Sequence, residues 1–236
     1  MGVRIGAFVL TPEGLLLAGA LAVFLLASYS RVQSAAQGGL VKTAALLAWV
    51  SLCGVAGAAL YGLPGSLAAA QRLDPLPSDT AIAFGSFGGY WGVLLGGLVA
   101  AWSPRRKALP LLDALTPGIL LGGLVARAAV WFAQTTPFSV TPFAIWSLAD
   151  MALHGALFGV IAIAERRRSP EMPPAGLFLI TFLIGYGAPR FILEFFRDDT
   201  VPWADVTWGH HTSLLQTLAG VVLLFFVLRP RRAAAG

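Results

Sequence analysis

Seven apolar stretches, each near the ~20 residues a helix needs to cross a bilayer, follow one another with only short breaks between them. They run approximately over residues 10–29, 40–63, 81–102, 109–133, 142–164, 175–195 and 212–228. In hydrocarbon there is no water to bond exposed peptide groups, so each stretch must satisfy its own N–H and C=O groups, and an α-helix does so. The spacing therefore predicts an all-α fold of seven transmembrane helices, with residues 1–236 forming a single integral-membrane domain. Only 11% of the residues are charged and the mean hydropathy is +0.78, where a soluble domain carries about 25% charge. The breaks carry turn residues: Gln37-Gly38-Gly39, Leu63-Pro64-Gly65, Asp74-Pro75, Ser103-Pro104, Thr136-Pro137 and Ser169-Pro170.

The charges fix an expected orientation. Arg31, Lys42, Arg105, Arg106, Lys107, Arg166, Arg167, Arg168, Arg229, Arg231 and Arg232 fall in alternate loops and the tail, eleven of the 16 Lys and Arg. The positive-inside rule then places the N-terminus outside and the C-terminus in the cytoplasm. The net charge of +5 reads as a topology signal and as affinity for anionic headgroups, not as a nucleic-acid surface. Only Arg4 precedes the first run, and no clear cleavage site follows, so that run reads as a retained helix. Cys53, the single cysteine, reads as a small packed side chain, since one thiol makes neither an internal disulfide nor a Cys-based zinc site. The tryptophans lie mostly near segment ends and read as an interfacial belt.

Charges at membrane depth mark where to look for chemistry, because each costs about 2.5–3.5 kcal/mol on insertion scales. Arg190, Glu194 and Arg197 recur at i, i+4, i+7 and share one helix face. Arg127 stands inside Leu124-Val125-Ala126-Arg127-Ala128-Ala129 with no acid near it in sequence. Pairing Arg190 with Glu194 leaves Arg127 and Arg197 over, so the cluster is expected to be net cationic. A guanidinium suits phosphate, because its planar fork binds two oxygens and keeps its proton. Asp150 and His154, at i, i+4, form a candidate carboxylate–imidazole proton acceptor, or a structural contact between helices. The glycines of Gly85-Ser86-Phe87-Gly88-Gly89-Tyr90-Trp91-Gly92 suit close helix packing or backbone approach to a headgroup. His210-His211 lack a third ligand and read as a solvated loop.

These elements resemble one family, the bacterial prolipoprotein diacylglyceryl transferases. The likeness is sharpest in Gly185-Tyr186-Gly187-x-x-Arg190-Phe191-x-x-Glu194-Phe195-x-Arg197, which is similar to the family's YGxxRFxxEFxR element. Asp113-Ala114-Leu115-Thr116-Pro117-Gly118 resembles the family's D-x-x-x-P-G, and Arg127 follows where a family arginine is expected. Gly57-Ala58-Ala59-Leu60-Tyr61 resembles GARLxY, and Gly85 to Gly89 lie where SFHGG is expected. The chain departs from the pattern at Phe87, in place of a histidine, at Ala59, in place of an arginine, and after Arg127, where Val130 to Thr135 have no amide or acid at the usual places. HPxQLYE is reduced to Ile145-Trp146-Ser147-Leu148-Ala149-Asp150.

The resemblance implies a multi-pass enzyme of the bacterial cytoplasmic membrane. It would transfer diacylglyceryl from phosphatidylglycerol to a lipobox cysteine thiol of a preprolipoprotein, with no cofactor and no metal. Arg127, Arg190, Arg197, Gly88 and Gly89 would bind substrate, and His154, Asp150 and Glu194 would be catalytic. A second reading is a paralogue that binds anionic phospholipid without transfer or acts on another lipid acceptor. A retinal protein is disfavoured because Lys42 and Lys107 both fall in loops, and a transporter because no internal repeat is visible.

Overall fold

A computed structural model describes residues 3–5, 8–10, 12–36, 39–71, 86–102, 107–136, 139–140, 142–167, 175–196 and 208–229. Side chains are described over 15–36, 39–61, 87–102, 107–132, 145–167, 175–196 and 209–229. Among these residues are seven helices: α1 (Pro12–Ala36), α2 (Leu40–Gln71), α3 (Ser86–Ala101), α4 (Ala108–Gln134), α5 (Pro142–Arg166), α6 (Leu177–Glu194) and α7 (Trp208–Leu228). Two short antiparallel hairpins accompany them, β1 (Val3–Ile5) with β2 (Phe8–Leu10) and β3 (Thr135–Thr136) with β4 (Ser139–Val140). The fold is helical, as expected. The hairpins are a local addition, built largely from β-branched and aromatic residues (Val3, Ile5, Phe8 and Val9 in the first, Thr135, Thr136 and Val140 in the second).

Six helices are long and apolar enough to cross a membrane. The described part of α3 has 16 residues, about 24 Å at 1.5 Å per residue, against a hydrocarbon core of about 30 Å. Several boundaries differ from expectation: Lys42 and Arg166, placed in loops by the sequence, lie in the first turn of α2 and the last turn of α5. Leu63-Pro64-Gly65 is not a break, because α2 continues to Gln71. A proline removes one N–H and one intrahelical bond, and the helix formers Leu67 to Ala70 carry the helix past it. Arg31 is not in a loop but in the last turns of α1, where its Nη1 donates to the Ala27 carbonyl at 2.5 Å.

Tertiary contacts divide the chain into two compact units, Met1–Ala126 and Arg127–Gly236. In the first, α2 and α3 pack through glycine. A Cβ on Gly88 would overlap the Gly57 carbonyl oxygen and Tyr61 Cβ, and one on Gly57 would overlap the Gly88 carbonyl. Small residues let two helix backbones approach this closely where lipid offers no hydrophobic drive for association. Phe87, 2% exposed, fills the space beside them with its ring 6.2 Å from that of Tyr61 and 6.4 Å from that of Tyr90.

In the second unit, α6 lies against both α5 and α7. A Cβ on Gly185 would press on Leu157 of α5, and one on Gly187 would press on Ser213 and Thr217 of α7. The helix is thus flanked on two sides, and Phe178, Leu179, Phe182, Leu183, Tyr186, Arg190 and Glu194 are all buried along it. By contrast α7 exposes Leu218, Val221, Phe225 and Phe226, an apolar surface that suits lipid tails better than water.

Candidate functional site

α5 and α6 carry the site on two matching ladders. Trp146, Asp150 and His154 recur every four residues on α5, and Tyr186, Arg190 and Glu194 do so on α6, so each set shares one face. The two ladders run in opposite directions and meet rung by rung. The His154 and Tyr186 rings lie 4.6 Å apart, Asp150 stands beside Arg190, and Trp146 reaches the last turn of α6. All six side chains are buried, although Asp150, Arg190 and Glu194 are formally charged. Arg127, 8% exposed near the end of α4, completes the set.

Asp150 is the hub. Arg127 Nε lies 2.5 Å from its Oδ2, and Arg190 Nε lies 3.9 Å from its Oδ1. The Tyr186 hydroxyl donates to Oδ2 at 3.4 Å. Arg190 Nη1 donates in turn to Glu194 Oε2. Among the described residues the cluster holds two guanidinium groups and two carboxylates, so Arg127 is paired and not left over as the sequence suggested. The physical reason is that α5 supplies the partner of Arg127 from 23 positions away in the chain, a pairing that sequence spacing does not display. Arg197 lies outside the described residues.

The Asp150–His154 pair takes a different form from a hydrogen-bonded dyad. His154 Nδ1 donates to the Asp150 backbone carbonyl at 2.8 Å, while the carboxylate Oδ1 stands 3.9 Å away. The carboxylate is turned to the arginines instead. A donating Nδ1 makes Nε2 the lone-pair nitrogen of the neutral ring. Glu194, 1% exposed, has its carboxylate against Gly209, where any Cβ would overlap both oxygens. It thereby meets the first turn of α7, whose unsatisfied N–H groups favour negative charge.

Gly88 and Gly89 belong to the first unit. Gly88 is buried against α2, so its small size serves helix packing, whereas Gly89 is half-buried and makes only ordinary contact, 3.7 Å from an added Cβ to Ala58 Cβ.

Three side chains escape a reading by sequence. Trp146 is buried, not displayed to the surroundings, being 4% exposed with Arg127 Cζ 4.9 Å and Arg190 Cζ 4.3 Å from its ring centroid. His210 is not in a solvated loop. It lies on α7, 2% exposed, with its ring 5.2 Å from Phe191 and 4.3 Å from Phe195. Tyr186 holds Asp150 through its hydroxyl. The signal for Trp146 and Tyr186 was their place four residues before a charged group on the same helix; nothing near His210 marked it.

Two buried arginines therefore meet on one carboxylate among helices long and apolar enough to cross a membrane. The chain matches the family model for prolipoprotein diacylglyceryl transferase over residues 2–226, and it belongs to that family. It is 31% identical over 231 residues to the phosphatidylglycerol–prolipoprotein diacylglyceryl transferase of Ruegeria pomeroyi, covering 80% of this chain and 77% of that one. It is 27% identical to the enzyme of the same name from Streptococcus mutans, covering 67% of this chain and 68% of the other. With the Burkholderia orbicola enzyme the identity is 28% over 63% of this chain and 64% of the relative.

Proposed function

We propose that this protein transfers diacylglyceryl from phosphatidylglycerol to the lipobox cysteine of a preprolipoprotein in the bacterial inner membrane. The observation that carries the reading is the buried meeting of Arg127 and Arg190 on Asp150 within spanning helices. Family membership supports the same activity over a reading as a silent lipid-binding paralogue. The proposal includes seven spans in one integral domain, with the N-terminus outside and the C-terminus cytoplasmic.

The chemistry asks for a cationic fork on a phosphate that becomes a leaving group. The phosphate exchanges for Asp150 on Arg127 and shares Arg190 with Glu194, so the arriving headgroup inherits donors already ordered by carboxylates. The thiol sulfur forms the new bond to the terminal glyceryl carbon of the diacylglyceryl group. The C–O bond to phosphate breaks, and its electron pair leaves on glycerol phosphate, where both arginines stabilise the developing charge. The thiol proton, from a group with pKa about 8.5, passes to His154 Nε2. Asp150 and Glu194 position the arginines, and Arg197 guides the headgroup or the signal peptide at the outer rim.

The test is a mass shift. Purified protein is incubated with phosphatidylglycerol and a lipobox peptide, and the peptide gains one diacylglyceryl group. Arg190→Ala abolishes the gain. Peptide mass unchanged with the unaltered protein overturns the reading.

A further inference from the structure

Trp146 has no part in the bond making and breaking, yet it touches both cations that do. Its indole sits 4.9 Å from Arg127 Cζ and 4.3 Å from Arg190 Cζ. Its N–H donates to the Leu193 carbonyl at 3.2 Å, in the last turn of α6 and next to Glu194. It stands one turn from Asp150 on the same face of α5, and it is buried against protein, not displayed on the outside of the helix. It also falls inside the stretch Ile145 to Asp150, where the chain departs from the family's HPxQLYE pattern.

We propose that Trp146 is a positioning residue, a stacking platform that holds the guanidinium groups of Arg127 and Arg190 at the spacing a headgroup phosphate needs. The inference rests on the function proposed above and deepens it. Two like charges side by side need something between them. Asp150 and Glu194 provide it at rest, but they hold the arginines through the same N–H donors that a phosphate takes. Once the headgroup has displaced Asp150 and shares Arg190 with Glu194, a hold that does not use those donors has to remain. An aromatic face supplies one, because its π-cloud attracts a cation from above and leaves the in-plane fork pointed at the ligand. The N–H tie to Leu193 fixes the ring against the end of α6, so the platform moves with the turn that carries Glu194. A bidentate contact tolerates little misplacement, which makes the spacing of the two forks a term in binding.

The test compares Trp146→Leu with Trp146→Phe in the full-length protein. The dissociation constant for short-chain phosphatidylglycerol is read alongside KM and kcat for transfer. Trp146→Leu is expected to weaken binding and raise KM about tenfold, and Trp146→Phe, which keeps the ring face and loses only the N–H, to stay within about threefold. Should the leucine variant fail to fold, Trp146→Met takes its place as a non-aromatic side chain that fills irregular gaps. Equal losses in the aromatic and aliphatic variants, or no loss in either, overturn the proposal, since a filler of space does not distinguish a ring from a chain of similar bulk. Unaltered protein that binds phosphatidylglycerol without transferring it refutes the activity and leaves the binding comparison to decide on Trp146. Unaltered protein that binds none overturns both.

Discussion

At the level of single residues, the balance of the buried charges decides how the site behaves. Breaking a buried ion pair by removing one partner leaves a charge with neither water nor a counter-charge, at about 3–5 kcal/mol, whereas replacing both partners by apolar groups is often neutral. Asp150→Asn is therefore expected to lower stability by about 3 kcal/mol, because the Arg127 guanidinium keeps its charge and loses its carboxylate. The double variant Arg127→Met with Asp150→Leu is expected to recover most of that loss while failing to bind phosphatidylglycerol. Denaturant unfolding in detergent measures the first effect, and calorimetry with short-chain lipid the second. A double variant no more stable than Asp150→Asn contradicts the pairing. Sequence spacing identified Arg127, Arg190 and Glu194 because each charge interrupts an apolar run. It left Arg127 without a partner because the partner sits on another helix.

Helices set the tolerances within which those side chains work. The first turn of α7 approaches the Glu194 carboxylate so closely that Gly209 has no room for a Cβ. Gly209→Ala is expected to push Glu194 off Arg190, because the added Cβ takes the place of the carboxylate. Transfer should fall at least about tenfold, roughly the worth of one charge-assisted hydrogen bond. Gly19→Ala on α1, where nothing lies within 4 Å of an added Cβ, should leave transfer unchanged. The two variants measured side by side separate a local clash from a general effect of alanine, and equal activity in both removes the role given to Gly209. The fall of the helices along the chain was visible in the apolar runs. Their ends were visible only in part, since the chain reads through Pro64 in α2 while Arg31 and Arg166 lie within the ends of helices, not beyond them. A helix end is set by which peptide groups find partners, and apolar content does not report that.

For the molecule as a whole, the distribution of basic residues yields a testable arrangement in the membrane. With Cys53→Ala as background, Ser78→Cys and Thr200→Cys are expected to react with an impermeant maleimide added to intact cells, and Ser103→Cys and Ser169→Cys to react only after permeabilisation. The reverse pattern overturns the proposed orientation, and reaction of all four from outside overturns the count of spans. The sequence by itself determined that the chain is helical and apolar enough for a membrane, and which charges are too costly to be idle there. It did so because backbone satisfaction in lipid and the price of burying charge depend on composition and local spacing alone. The tertiary structure decided who meets whom. It turned Asp150 from His154 to Arg127, set Trp146 beside two arginines, buried His210 between phenylalanines and seated Glu194 on Gly209. Those are contacts between helices, fixed by the direction and rotation of one element against the next, and no periodicity within a single helix encodes its neighbour's face.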